Sequence, residues 1–221
     1  RLADLLAAED AALDDEAIYQ WARKIVGAQM PAITYKEFLP AVMGDAAPSA
    51  NDFQYLADDA SITLAFSTAA FRFGHSMQSP QLLLVDDNGA HVGAIDLVAA
   101  SMNPCLLSSD PAKVDQLLKG LASQVAQEND AKMIDELRNR LLGPPGSGVA
   151  LDLAALDIQR GRDHGLLNSY NLALRSYSLP TITSFTGLTS DVELQAQLAS
   201  VYGDVDNVDM FVGIISEDHL P

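Results

Sequence analysis

The chain is 221 residues long and 48% hydrophobic, with 30 acidic side chains against 13 basic ones and a formal charge of -17. That length supports a folded core burying about 70% of the unfolded surface, while the acidic balance excludes a phosphate-backbone binder and disfavours an anionic membrane surface. No apolar run approaches the ~18 residues of a membrane span, and the single cysteine, Cys105, excludes an intrachain disulfide and any multi-cysteine metal site.

Residues 1–44 read as helix throughout. Leu2, Leu5 and Leu6 open an amphipathic turn. Asp14 or Asp15 then caps a second helix whose apolar face is Ile18, Trp21, Ala22, Ile25 and Val26. Thr34 and Glu37 have capping-box spacing ahead of Phe38, Leu39 and Val42, and Gly44 closes that helix. Residues 45–60 are loop-like, with Pro48, Asn51 and several aspartates. From 61 to 77 the chain is apolar on nearly every face (Ile62, Leu64, Phe66, Ala69, Phe71, Phe73), the pattern of a buried helix. Arg72 and His75 interrupt it, and a buried arginine requires a partner.

Residues 82–85 and 90–96 flank Asp86-Asp87-Asn88-Gly89, which predicts a short peripheral hairpin. Asp110-Pro111 places an N-cap and first-turn proline ahead of Val114, Leu117, Leu118 and Leu121. Another helix is predicted over 129–142, stopping at Gly143-Pro144-Pro145-Gly146. Asp152 caps a helix over 153–160, and Ser190 with Glu193 forms a second capping box before Leu194, Leu198 and Val201. There is no internal repeat. The expected fold is mainly α with one short β-hairpin.

Several chemistries are absent from the sequence. The Gly143–Gly148 stretch has prolines where a phosphate loop needs a helix start, and neither a His-Glu-x-x-His zinc motif nor a Gly-x-Ser-x-Gly elbow occurs. Cys105 has no local activating partner and reads as a structural or incidental thiol. Of the four histidines, His91 and His219 read as exposed and inert. His75 lies on the apolar segment, where a lone histidine is ordinarily a satisfied core residue. Arg72, three residues earlier, shares its face. An imidazole beside a cation in an apolar wall suits a haem, with Nε2 on iron and the guanidinium on a propionate. A second constellation runs from Asp157 to His164 and holds two arginines and two aspartates. Arg162, Asp163 and His164 read as an ion-pair cluster fixing a helix corner. Asp157 and Arg160, three apart, can meet the first site, Asp157 accepting from the imidazole Nδ1 and Arg160 reaching a second acid group.

At these residues the sequence resembles the animal-type haem peroxidase family, the cyclooxygenase–peroxidase superfamily of myeloperoxidase and peroxidasin. The resemblance rests on DEAIYQWARKIVGAQMPAITYKEFLPAVMG (15–44), FSTAAFRFGHSM (66–77), LDLAALDIQRGRDHGLLNSYN (151–171) and YGDVDNVDMFVGIISEDHLP (202–221), in family order. The composition resembles that of bacterial members. The resemblance implies that His75 is the proximal iron ligand, that Arg72 and Arg160 anchor haem b or a derivative, and that Leu153, Leu156 and Phe71 line the proximal wall. Asp157 stands where vertebrate members carry an asparagine. An aspartate holds the imidazole N–H more strongly, favouring ferric iron and a lower reduction potential. After His164 the sequence departs from the family's usual HGLPSYN by one extra residue and a missing proline, which alters a loop.

The resemblance further implies a peroxidase that uses hydrogen peroxide to oxidise phenolic or halide donors, secreted or extracellular. The family's distal histidine, distal arginine and calcium loop fall upstream of segments like 1–44, and its last helices fall past 221. The chain is therefore expected to be the proximal-side portion (1–221) of one haem peroxidase domain, cut at both ends, without catalytic distal residues or a calcium site. Other parts of the same domain are its expected partners. The alternatives are a non-catalytic haem-binding or structural domain, and a helical interaction module without haem.

Overall fold

In a computed structural model, residues 1–49, 59, 61–101, 103–108, 110, 112–143 and 151–219 are described. They fall into two units, Arg1–Ala60 and Ser61–Pro221.

The first unit is helical as the sequence predicts: α1 (Leu2–Glu9), α2 (Asp15–Ile33) and α3 (Leu39–Met43). Asp14 caps α2, its Oδ1 accepting the Ala17 N–H at 2.8 Å. Gly44 ends α3 at φ 54, a conformation glycine adopts without strain. The capping box at Thr34 and Glu37 does not form. Thr34 keeps helical dihedrals, its hydroxyl donates to the Met30 carbonyl at 2.8 Å, and one wide turn over Thr34–Phe38 carries the chain into α3. That turn accommodates Pro40, which has no N–H to return to the Lys36 carbonyl. None of the described residues of this unit is buried. Of the apolar face expected on α2, Ile18, Ala22 and Ile25 are half-buried while Trp21, 49% exposed, and Val26 are left open.

The second unit contains α4 (Leu64–Thr68), β1 (Gln81–Val85), β2 (His91–Asp96), α5 (Leu97–Ala100), α6 (Cys105–Ser108), α7 (Ala112–Ser123), α8 (Leu153–Asp163), α9 (Tyr170–Ser176), α10 (Val192–Tyr202) and α11 (Met210–Ser216). The fold is mainly α, and β1 and β2 form the one sheet among the described residues. Its antiparallel turn is built as predicted: Asp86 Oδ1 accepts the N–H groups of Asn88 and Ala90, and Gly89 takes φ 78. Asp110 Oδ1 accepts the Ala112 N–H at 3.1 Å, so the predicted cap holds, while Pro111 lies outside the described residues. The same is true of 50–58 and 60 within the predicted loop, and of 144–150 within the predicted break.

Helix α11 sits at the centre of this unit, with Met210, Phe211, Gly213 and Ser216 buried. On one side Tyr170, Leu188, Leu198 and Val208 form a cluster; on the other Ala69, Met210 and Phe211 form a second, and Val212 and Ile214 pack against both. A Cβ on Gly213 would lie 2.1 Å from the Tyr170 ring, so only glycine lets α9 and α11 approach this closely. Similarly, a Cβ on Gly120 of α7 would lie 1.8 Å from the Leu83 carbonyl oxygen of β1. Gly120→Ala is expected to destabilise the fold by about 3 kcal/mol, since backbone must move to relieve the overlap. A urea unfolding midpoint equal to wild type would refute that close packing.

Three predicted elements are corrected. The segment 61–77 is not one buried helix: α4 stops at Ala69 (φ -134, ψ -67) and a 3-10 turn follows over Ala70–His75. Its buried positions are small (Thr68, Ala69, Ser76), while Ile62 is 70% and Phe71 63% exposed. The helix over 129–142 shrinks to a turn at Glu136–Arg140. Asp130 Oδ1 captures the Lys132 N–H at 2.8 Å, an alternative to helical bonding. Asp191, not Ser190, caps α10, accepting from Glu193 and Leu194, and the Ser190 N–H that a capping box would give to Glu193 goes to Asp218.

Candidate functional site

Asp157 lies near the middle of α8 and is 0% exposed. Asp152 fixes the start of that helix, accepting the Ala154 and Ala155 N–H groups at 2.9 and 3.3 Å. The helix continues past the predicted end at Arg160 to Asp163. Each oxygen of the Asp157 carboxylate has its own partner. Oδ2 is 2.6 Å from His75 Nδ1, and Oδ1 accepts from Arg72 Nη1 at 2.7 Å. The two partners come from the 3-10 turn at Ala70–His75, where residues three apart eclipse and so face the same way.

This geometry settles the His75 tautomer on chemical grounds. A carboxylate can only accept, so Nδ1 carries the hydrogen, and in the neutral imidazole Nε2 is then the nitrogen with the lone pair. Nε2 has no hydrogen-bond partner among the described residues, and the side chain is 34% exposed. The arrangement is an oriented, partly exposed imidazole nitrogen backed by a buried carboxylate.

The sequence-predicted residues divide accordingly. His75, Arg72 and Asp157 meet. Arg160 lies one turn after Asp157 on α8, exposed and without an ion-pair partner among the described residues. Phe71 is exposed and stacks on Phe66 with ring centroids 5.0 Å apart. Leu153 and Leu156 are half-buried on α8. Arg72 Nε is buried with no hydrogen-bond partner among the described residues. His91 is exposed, as expected, and Cys105 is free and exposed. His219 is exposed but not idle, its Nε2 lying 2.6 Å from the Asn129 carbonyl.

Sequence reasoning missed two long-range pairings. One is Arg72 with Asp157. The other explains why Arg162 fixes a corner: its Nε and Nη2 donate to Asp209 Oδ2 at 3.1 and 2.7 Å, and the Tyr202 hydroxyl donates to the same oxygen at 3.1 Å. Asp209 is 3% exposed. The guanidinium is held above its ordinary range by that carboxylate, and burial together with the same carboxylate pushes the Tyr202 phenol up to about 12. His164 and Asp163 serve locally, to the Arg160 carbonyl and Gln159. An apolar cavity of about 280 Å³ between α8, α10 and α11 includes none of His75, Arg72 and Asp157 in its lining.

The family model for animal haem peroxidase matches residues 1–221. Peroxinectin A of Dictyostelium discoideum is 36% identical over 207 residues, covering 94% of this chain and 38% of that protein. Human eosinophil peroxidase is 34% identical over 236 residues, covering 100% of this chain and 32% of its own length. Among solved structures, peroxidase A from Dictyostelium discoideum superposes with a TM-score of 0.82 at 36% identity, over 100% of this chain and 42% of that one. The chain therefore spans well under half the length of these relatives. A match over every residue, with the FRFGH and IQRGRDHG segments meeting at one buried carboxylate, has one conclusion: the chain belongs to the animal haem peroxidase family.

Proposed function

We propose that this chain supplies the proximal half of a haem site in a peroxidase, and that His75 is the iron ligand. The observation that carries this reading is the His75–Asp157 contact at 2.6 Å, which leaves Nε2 free of any partner among the described residues. The residues fit the cofactor's chemistry. His75 Nε2 would take iron, Asp157 would orient the ring, and Arg160 with the unpartnered Nε of Arg72 would meet the propionates. Phe71, Leu153 and Leu156 would form the apolar wall. A bound haem b or derivative supplies the redox chemistry with hydrogen peroxide that no side chain here can perform.

In this reading the chain's own work is to hold a ligand nitrogen at fixed orientation and to set its electron donation. The catalytic distal group and the calcium site belong to other parts of the same domain, of which 1–221 is the proximal-side portion. Those parts would also cover the open apolar side chains of the first unit, among them Trp21, Met30 and Ile33. The 42% coverage of a solved relative that matches the whole chain supports this. The donor would be a small phenol or a halide, and the protein would work outside the cell. No helix among the described residues is long and apolar enough to cross a membrane.

Adding haemin to the full-length protein is expected to give a Soret band that His75→Ala loses. Peroxide-dependent oxidation of a phenolic dye by the full-length protein then marks an enzyme, and haem binding without turnover marks a haem-binding domain instead. The isolated 221 residues are expected to turn over weakly at best. Efficient turnover by them alone would overturn the division of labour proposed here.

A further inference from the structure

We propose that Arg72 is a positioning residue for the proximal imidazole, acting on it through Asp157 rather than only through a cofactor carboxylate. The inference rests on His75 being the iron ligand. Asp157 is wholly buried, and a carboxylate in that environment needs its charge answered. His75 answers only one oxygen, as a neutral donor. Arg72 answers the other with a full positive charge at 2.7 Å, and its own side chain is 25% exposed.

Two consequences follow from that geometry. Arg72 Nη1 on Oδ1 and His75 Nδ1 on Oδ2 pull on opposite oxygens, so together they fix the carboxylate plane that orients the ring. The cation also draws electron density away from the oxygen facing the imidazole. Asp157 therefore pushes less density onto His75 than an unpaired aspartate would. The pair, not Asp157 alone, sets how strongly the ligand donates to iron.

A four-protein cycle of haem-loaded full-length protein tests this: wild type, Arg72→Gln, Asp157→Asn and the double variant. The readouts are the Fe(III)/Fe(II) midpoint and the ferrous iron–histidine stretching frequency. Arg72→Gln is expected to lower the midpoint and raise the stretching frequency, and both shifts are expected to shrink to a minor fraction once Asp157 is Asn. If Arg72→Gln does not load haem, Arg72→Lys takes its place, with a smaller frequency shift that again disappears in the Asn background. Equal shifts in both backgrounds would show that Arg72 acts directly on the cofactor, and no shift in either would remove it from the site's electronics. Both results overturn the proposal. A wild-type protein with no Soret band overturns the haem reading itself, which separates the two failures.

Discussion

Asp157→Ala is expected to cost about 3 kcal/mol of folding stability and to free the His75 ring. Removing one member of a buried pair strands the other, and such losses run to ~3–5 kcal/mol. The lower end applies because the Arg72 side chain is 25% exposed and can recover some water. Asp157→Asn separates stability from electronics. It keeps the volume and one acceptor oxygen, and removes the charge. It is expected to hold the fold better than Asp157→Ala and to raise the Fe(III)/Fe(II) midpoint of the haem-loaded protein, because a negative charge behind the ligand stabilises ferric iron. Denaturant unfolding of both variants and spectroelectrochemistry of the second check these expectations. An unchanged or lower midpoint would remove Asp157 as the tuning group.

Arg162→Ala is expected to destabilise by about 3 kcal/mol, even though Arg162 is not among the proposed cofactor contacts. Among the described residues it leaves buried Asp209 with only the Tyr202 hydroxyl on Oδ2 and no partner on Oδ1. The range for broken buried pairs again applies at its lower end, because the Arg162 side chain is 41% exposed. The same network predicts alkaline sensitivity. The Tyr202 phenol sits at about 12 in the folded chain against 10.0 as its ordinary value. The unfolded chain thus releases this proton first as pH rises. The stabilisation is complete below pH ~10 and disappears as pH climbs toward ~12, a loss of about 3 kcal/mol. Tyr202→Phe should flatten that part of the stability–pH curve. An unchanged alkaline slope in the variant would place the titration elsewhere.

The two networks differ in how far they could be read beforehand. Asp14, Asp110 and Asp152 were legible as helix starts because a cap bonds within three residues of itself. The hairpin was legible for the same reason, since Asp86 and Gly89 close the turn between them. Thr34 and Ser190 misled because capping-box spacing says nothing about competitors: the wide turn around Pro40 in one case, Asp218 in the other. The 61–77 segment misled more deeply. Its hydrophobicity predicts an inward-facing helix, yet Ile62, Phe66 and Phe71 face outward and the buried positions are small. Composition reports what a side chain prefers, not which element arrives to cover it.

By itself, the sequence determined the mainly α class, the hairpin, the local caps and the two motifs that carry His75 and Asp157. All of these rest on contacts a few residues long or on residue identity. Only the tertiary structure decided that Arg72 pairs with Asp157 across 85 positions and Arg162 with Asp209 across 47. The chain offers 30 carboxylates to 13 basic side chains, so charge alone leaves each arginine with many candidate partners. Burial makes the choice, because a carboxylate removed from water must find its cation, whereas one left at the surface need not.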